Sequence, residues 1–271
     1  MGIISGYPVG AKITTQFVEQ GICTKEEGER MLAFTNNSGP LFIVGTVGIT
    51  LFGNTSIGIL LLVTHILACI TVGILLNFLS KKSLATNNSK LYSTNSHYPH
   101  TSSHLERNTS TTSKTVSFSS LGEILGKSIQ NATSTILLIG GFVVIFSVII
   151  SICNQIHFFE FIAVMLEPIL SKIGIPFDLI TSFLSGIVEL TNGLNLVACV
   201  PLKTISTNII LSAFLLGFGG ISVLLQVFSI TSKANLSIKK YIIGKLLQGL
   251  LAAFYTYLAL QYLPFLQFNL M

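Results

Sequence analysis

The chain has 271 residues, of which half are hydrophobic and only 9% are charged. Soluble globular domains average about 25% charged residues, so this composition excludes an ordinary soluble domain. The 15 Lys and Arg residues outnumber the 10 Asp and Glu residues, for a net charge of +5, and most of the excess lies in residues 80–120. A basic loop between apolar segments is typical of a membrane protein, and we expect no nucleic-acid binding.

The first 31 residues contain a turn and a polar stretch before the first long apolar run. Residues 1–18 contain a Gly-Tyr-Pro-Val-Gly turn, which predicts the remnant of a broken helical hairpin. A polar amphipathic stretch follows at 19–31, in which Thr24 and Glu27 have the spacing of a capping box. A helix should therefore begin at this point.

Long apolar runs predict most of the remaining elements, since a membrane span needs roughly 20 apolar residues. The loop 80–120 is rich in Ser, Thr and Asn, so it is predicted to be disordered and, because it is basic, cytoplasmic. The segment 156–171 is either a span or interfacial. The predicted spans are 34–52 (interrupted at 36–40), 56–79, 131–153, 178–200 (broken near its centre), 207–231 and 238–262.

Parts of the sequence recur at a constant offset of 180 residues. Ser5-Gly6 recurs as Ser185-Gly186, Ala33-Phe34 as Ala213-Phe214, and Gly39 as Gly219. This echo predicts two repeats, at residues 1–79 and 121–271, separated by the loop 80–120. The first repeat lacks an opening half, so we expect the sequence to be truncated at its start.

The basic loops determine the predicted orientation of the repeats. Placing residues 80–120 and the lysines of 231–240 inside makes the matched spans 34–52 and 207–231 antiparallel. The predicted fold class is therefore all-α: a polytopic helical membrane protein with inverted repeats and broken or re-entrant hairpins. In proteins of this architecture the substrate site lies between the repeats.

Glu189 is the strongest candidate for a functional residue. A carboxylate between apolar flanks at membrane depth marks a polar pathway by default. Thr191, Asn192 and Asn195 add hydrogen-bonding groups close by, and the neighbouring glycines allow an unwound backbone. The alternative is that Glu189 caps a half-helix or reaches the membrane interface.

Lys12 is the second charged candidate. The 180-residue offset maps it onto Asn192, next to Glu189, so a pseudo-twofold axis could bring Lys12 and Glu189 together as a buried pair. The alternative is that Lys12 marks the cytoplasmic end of its hairpin.

A polar cluster interrupts the span 34–52. Asn36, Asn37 and Ser38 precede Pro40, which cannot donate a helical hydrogen bond, and the amides suit a polar solute such as a nucleobase or ribose. Gln226 belongs to the matching segment of the second repeat. Interhelical hydrogen bonding is the alternative for the two asparagines, and close helix packing is the alternative for the glycines near Gln226.

Other features give no sign of catalysis. His65 is alone in an apolar run and is better explained by structural hydrogen bonding than by a proton relay. The four cysteines form no CxxC pair. We find no nucleophile, phosphate-binding or metal-ligating motif, so no enzyme, cofactor or metal is predicted.

Four motifs in order resemble one protein family: residues 5–12, 34–42, 185–193 and 219–226. Together they are similar to the sporulation integral membrane protein YlbJ family, whose Gate domain is also found in spore maturation proteins and concentrative nucleoside transporters. Family members are longer at the N-terminus. The resemblance implies a role in endospore formation and, through the domain's name only, a nucleoside-type ligand.

The sequence predicts a multi-pass membrane protein, and the resemblance implies that it lies in the mother-cell or forespore membrane and is required for formation of the spore envelope or cortex. Its expected activity is transport or recognition of a small polar solute, such as a nucleoside. The expected partners are the lipid bilayer, that solute, and a second copy of the chain or other sporulation membrane proteins. The alternative is a non-transporting assembly protein of the forespore membrane.

Overall fold

The computed structural model describes residues 2–91, 118–201 and 206–262. Every regular element in these ranges is a helix, which confirms the all-α prediction. The helices are α1 Gly2–Ser5, α2 Val9–Glu19, α3 Lys25–Thr35, a π-helix at Leu41–Leu51, α4 Thr55–Leu91, α5 Phe118–Gln155, α6 Phe158–Leu170, α7 Phe177–Val188, α8 Leu190–Cys199, α9 Ser206–Phe218, α10 Gly220–Thr231 and α11 Lys239–Tyr262, with short 3₁₀ turns at Ser171–Ile173 and Ser232–Ala234.

Four helical stretches of the described residues are long and apolar enough to cross a membrane: Thr55–Phe78, Leu121–Gln155, Ser206–Ala234 and Lys239–Tyr262. They agree with the predicted spans at 56–79, 131–153, 207–231 and 238–262. α4 and α5 extend into the segment 80–120, and residues 92–117 lie outside the described ranges. The predicted disorder and cytoplasmic location of the loop therefore stay predictions.

The chain packs as two units. The larger contains Met1–Asn77 and Leu138–Met271, and the smaller contains Phe78–Leu137, the end of α4 and the beginning of α5. In the smaller unit Lys127 pairs with Glu123 one turn away on an exposed face. The candidate site lies wholly in the larger unit.

The predicted capping box is present at the start of α3. The Thr24 hydroxyl accepts a hydrogen bond from the Glu27 amide at 3.3 Å, and the Thr24 amide donates to the Glu27 carboxylate at 2.9 Å. The hydrogen bonds from Thr24 lower the pKa of the Glu27 carboxyl. These hydrogen bonds therefore stabilise the fold at any pH above the pKa that Glu27 has in the unfolded chain. This stabilisation is lost as the pH falls through the lower pKa that Glu27 has in the folded protein.

The predicted span 34–52 is divided into two short helices. α3 ends at Thr35, and the π-helix begins only after Pro40. Asn37 helps to end α3, because its side-chain amide donates to the Phe34 carbonyl at 2.6 Å. Pro40 directly precedes the π-helix, a position at which the backbone N–H that proline lacks has no helical hydrogen-bond partner to lose. With 11 residues the π-helix is too short to cross a membrane alone.

The predicted break in 178–200 is present at Glu189, between α7 and α8. The two helices fold back on each other so closely that a Cβ at Gly193 would lie 1.8 Å from the Gly186 Cα. Only glycine at both positions permits this approach. The connection between α7 and α8 is therefore a tight helical hairpin, which we call the α7–α8 hairpin.

The predicted span 207–231 is also broken, which the sequence did not predict. Gly219 and Gly220 have φ values of +88° and +81°, a left-handed conformation that side chains rarely adopt, and they separate α9 from α10. Gly217 serves close helix packing instead, since a Cβ there would meet Gly249 at 2.7 Å.

The helix positions follow the 180-residue echo. The π-helix at Leu41–Leu51 corresponds to α10 at Gly220–Thr231, and α2 at Val9–Glu19 corresponds to α8 at Leu190–Cys199. Gly39, at the first break, corresponds to Gly219, at the second. This agreement supports two repeats, although their boundaries and their inverted relation stay predictions.

Candidate functional site

A cavity of about 370 Å³ lies where the first helix break, the α7–α8 hairpin, α10 and the segment before α2 come together. Four of the residues predicted for the site line it: Ser38 in the first break, Glu189 and Thr191 at the hairpin, and Gln226 on α10. The rest of the lining is largely apolar and includes Tyr7, Leu41, Phe42, Ile139, Val143 and Val223. The prediction that both repeats contribute to one cavity is consistent with this geometry.

Glu189 caps α8. Glu189 is only 2% exposed. Its two carboxylate oxygens accept hydrogen bonds from the backbone amides of Thr191 at 3.0 Å and Asn192 at 2.8 Å. The helix dipole also favours a negative charge at this end. The alternative that Glu189 caps a half-helix is therefore correct. Glu189 also lines the cavity, and each of its carboxylate oxygens can accept a further hydrogen bond there.

Three residues of the lining have a buried polar atom that makes no well-formed hydrogen bond in the described part of the chain. The hydroxyls of Tyr7 and Ser38 lie close enough to interact with each other, whereas the Gln226 side-chain carbonyl oxygen has no hydrogen-bond partner there. A buried polar group without a partner costs about 1–3 kcal/mol, so such groups are rare unless a ligand or water satisfies them. The unpartnered Gln226 oxygen, on a residue of the lining, favours a polar molecule as the occupant of the cavity.

The other predicted residues lie away from the cavity lining. Asn192 donates to the Ser147 hydroxyl at 2.9 Å, and Asn195 is exposed. Lys12 is half-buried on α2, and its pairing with Glu189 stays a prediction. Asn36 and Asn37 are fully buried, but they take part in a different cluster.

That cluster is a polar core around Lys245, which sequence reasoning missed. Lys245 is 0% exposed, and its ammonium donates to the side-chain oxygens of Asn37 at 2.8 Å and Gln248 at 2.9 Å. The Gln248 amide also donates to the Asn37 oxygen at 2.8 Å and lies 3.5 Å from a ring nitrogen of His65. The Asn37 amide donates to Cys69 at 3.2 Å.

Asn36 connects the same core to α2 and α11. Its amide donates to the Tyr241 hydroxyl at 2.9 Å, and its oxygen accepts from the Ala11 backbone at 3.3 Å. The predicted alternative of interhelical hydrogen bonding therefore describes both asparagines. The Lys245 ammonium also lies 5.3 Å from the ring centre of Tyr7 and 5.8 Å from that of Tyr241. Tyr7 thus belongs both to the polar core and to the cavity lining.

Two signals in the sequence could have identified Lys245. It lies six residues inside the apolar helix that begins at Lys239, too deep to be only an interfacial charge. The 180-residue offset also maps it onto His65, another ionisable residue within a predicted span. Both residues contact Gln248 in the structure.

The chain is similar to known proteins over most of its length. Residues 136–234 match the family model described as Gate, nucleoside recognition. Over 276 aligned residues the chain is 33% identical to the sporulation integral membrane protein YlbJ of Bacillus subtilis (strain 168). The predicted resemblance to the YlbJ family is confirmed.

The alignment with YlbJ covers 95% of this chain and 62% of the relative. No solved structure matches the chain at a significant level. The Gate match contains the α7–α8 hairpin and α10, and so Glu189, Thr191 and Gln226, but neither Ser38 nor Lys245. Together with its apolar helices, the likeness to YlbJ identifies the chain as a multi-pass membrane protein.

Proposed function

We propose that this protein transports or recognises a small polar solute of the nucleoside class and is required during spore formation. The observation that carries the proposal is the cavity lined by Glu189, Ser38 and Gln226, because the Glu189 carboxylate keeps further acceptor positions and the buried Gln226 oxygen has no partner among the described residues. The match to a nucleoside-recognition family and the name of the YlbJ relative support the solute class and the sporulation role. The mother-cell or forespore membrane is the corresponding location.

The cavity suits a solute of this class in size and chemistry. Its volume of about 370 Å³ is within the range of small-molecule sites, roughly 300–1,000 Å³. The apolar lining can contact the face of a base, and the polar atoms can bind ring or sugar groups. Ser38, at the first helix break, and Glu189, at the hairpin, belong to different repeats, so movement of one repeat against the other would expose the solute to alternate sides.

Gln226→Leu tests the proposal with little change of shape. We expect uridine affinity, measured by calorimetry on the purified protein in detergent, to fall by about tenfold or more, because one hydrogen bond to the solute is lost. The melting temperature without solute should stay the same or rise, because an unpartnered buried atom is removed. Gln16→Leu, on the exposed face of α2, is the matched control and should leave affinity unchanged. Equal uridine affinity in both variants would contradict the proposal.

The second candidate is a non-transporting assembly protein of the forespore membrane. The observation in its favour is the polar core, where Asn36 and Asn37 serve packing between α2, α3 and α11 and do not line the cavity. The same Gln226→Leu variant distinguishes the candidates in a sporulating host. Loss of binding together with loss of heat-resistant spores supports the solute function, whereas loss of binding with normal spores supports assembly.

A further inference from the structure

A groove of about 670 Å³ lies between α3 and α4 and shares no lining residue with the solute cavity. All the residues that line it belong to the larger unit. The Cys69 thiol donates to the Phe34 carbonyl at 3.0 Å, and Arg30, one turn earlier on α3, lines the groove together with Asn77, two turns later on α4. The two helices therefore run in opposite directions along the groove.

The groove is polar at one end and apolar along the rest of its length. Glu27, Arg30 and Asn77 line the polar end, next to the point at which the apolar span of α4 ends. The floor is open at Gly73, where a Cβ would lie 3.5 Å from the Phe34 ring. The apolar lining residues are Met31, Phe34, Ile70, Gly73, Ile74 and Leu76. This division matches a molecule with a polar head and an apolar tail.

The depth of the groove fits one leaflet of a membrane. Residues 69–77 of α4 cover about 12 Å at 1.5 Å per residue, and half of the hydrocarbon core of a bilayer is roughly 15 Å thick. Ile70 and Ile74 are each 52% exposed on the outer face of α4. The groove therefore opens toward the acyl chains of the leaflet into which α4 ends.

The polar end carries one charge of each sign. Glu27 and Arg30 lie one turn apart on the same face of α3, and both line the groove. A headgroup with a single negative charge would be attracted by Arg30 and repelled by Glu27, so the two effects would oppose each other. A headgroup that contains both a phosphate and a primary ammonium can be attracted by both residues at once.

We propose that this groove is a binding site for one phospholipid with a zwitterionic headgroup that ends in an amine. The phosphate lies at Arg30, the ammonium lies at Glu27, and one acyl chain follows the apolar floor. Cys69 closes the inner end, because its thiol is already hydrogen-bonded to Phe34 and to the Asn37 amide. The site is separate from the solute cavity and does not depend on the proposed function.

Quenching of an introduced tryptophan tests the proposal, since the chain contains no tryptophan of its own. Ile70→Trp places an indole in the groove. Val63→Trp is the matched control: Val63 is 50% exposed on the same helix, does not line the groove, and is as far from the middle of the span Thr55–Phe78 as Ile70. Each purified protein in dodecyl maltoside is titrated with phosphatidylethanolamine or phosphatidylglycerol brominated in the acyl chains.

We expect brominated phosphatidylethanolamine to quench half of the Ile70→Trp fluorescence at a mole fraction about threefold or more below that of brominated phosphatidylglycerol, as a partly exposed ion pair can supply. At Val63→Trp the two lipids should quench equally. Ile74→Trp, at a second lining position of equal exposure, repeats the measurement if Ile70→Trp does not fold.

Two charge variants, each combined with Ile70→Trp, locate the headgroup. Glu27→Gln should remove the difference between the lipids, and it can keep the capping box because glutamine also fits that motif. Arg30→Gln should raise the half-quenching mole fraction of both lipids. The matched controls are Glu26→Gln and Lys25→Gln, which are exposed on α3, do not line the groove, and should change neither result.

Equal quenching of Ile70→Trp by both lipids, at the mole fractions found for Val63→Trp, would show only contact with bulk lipid and would overturn the proposal. Protection of Ile70→Trp from both lipids would overturn it as well, because protein, such as a second copy of the chain, would then fill the groove. A lipid preference that survives Glu27→Gln would contradict the placement of the ammonium.

Discussion

Gly193→Ala is expected to prevent the α7–α8 hairpin from closing. The added Cβ would lie 1.8 Å from the Gly186 Cα and 2.5 Å from its nitrogen. Backbone atoms cannot move aside as a flexible side chain can, so the two helices would have to separate. We expect a loss of about 3 kcal/mol or more, because overpacking a close contact typically costs 1–3 kcal/mol and this overlap is severe. Thermal unfolding in detergent measures the effect.

Gly140→Ala is the matched control for this change. Gly140 is also a helical glycine, on α5, but a Cβ there would meet nothing within 4 Å. Alanine is the better helix former, so this control should keep or slightly raise the melting temperature. If both variants melt at the wild-type temperature, the hairpin described here is wrong.

Asn37→Leu should have the second largest effect, because one oxygen of Asn37 accepts hydrogen bonds from both Lys245 and Gln248. Leucine has the same number of side-chain heavy atoms and the same branching, but it leaves the buried ammonium with one acceptor fewer. A hydrogen bond to a charged group is typically worth about 1.5–3 kcal/mol. We expect a corresponding drop in stability in chemical or thermal unfolding.

Asn195→Leu provides the comparison for Asn37→Leu, since Asn195 is exposed on α8. It should change stability little. The combination of Asn37→Leu with Lys245→Met should recover part of the loss, because the charge that lacks its acceptor is then removed as well. A double variant no more stable than Asn37→Leu alone would show that the ammonium is not the source of the cost.

Part of the candidate site could be predicted from the sequence because its residues contrast with their surroundings. Glu189 is a carboxylate in an apolar run, and Ser38 and Gln226 lie in segments that the 180-residue echo relates. Each of these residues lines the cavity. The break at Glu189 was also predictable, since the glycines and polar residues around it disfavour a continuous helix.

Other features depend on three-dimensional placement that periodicity does not encode. Asn36 and Asn37 directly precede Ser38, but the helix break directs them into the polar core while Ser38 lines the cavity. Lys245 follows Lys239 and Lys240 at the start of α11. From the sequence alone, all three lysines look like the basic residues that commonly lie where a helix leaves the membrane. The break at Gly219 requires two positive φ values, which glycine permits but does not dictate.

Binding of a small polar solute in the cavity beside the first helix break and the α7–α8 hairpin is tested most directly by filling that cavity. Val223 on α10 lines it, whereas Leu225, two residues further on, is 42% exposed. Calorimetric titration of uridine into Val223→Trp and Leu225→Trp compares an indole inside the cavity with one outside it. The account predicts that Val223→Trp abolishes binding while Leu225→Trp retains wild-type affinity. Wild-type uridine affinity in a folded Val223→Trp protein would contradict it.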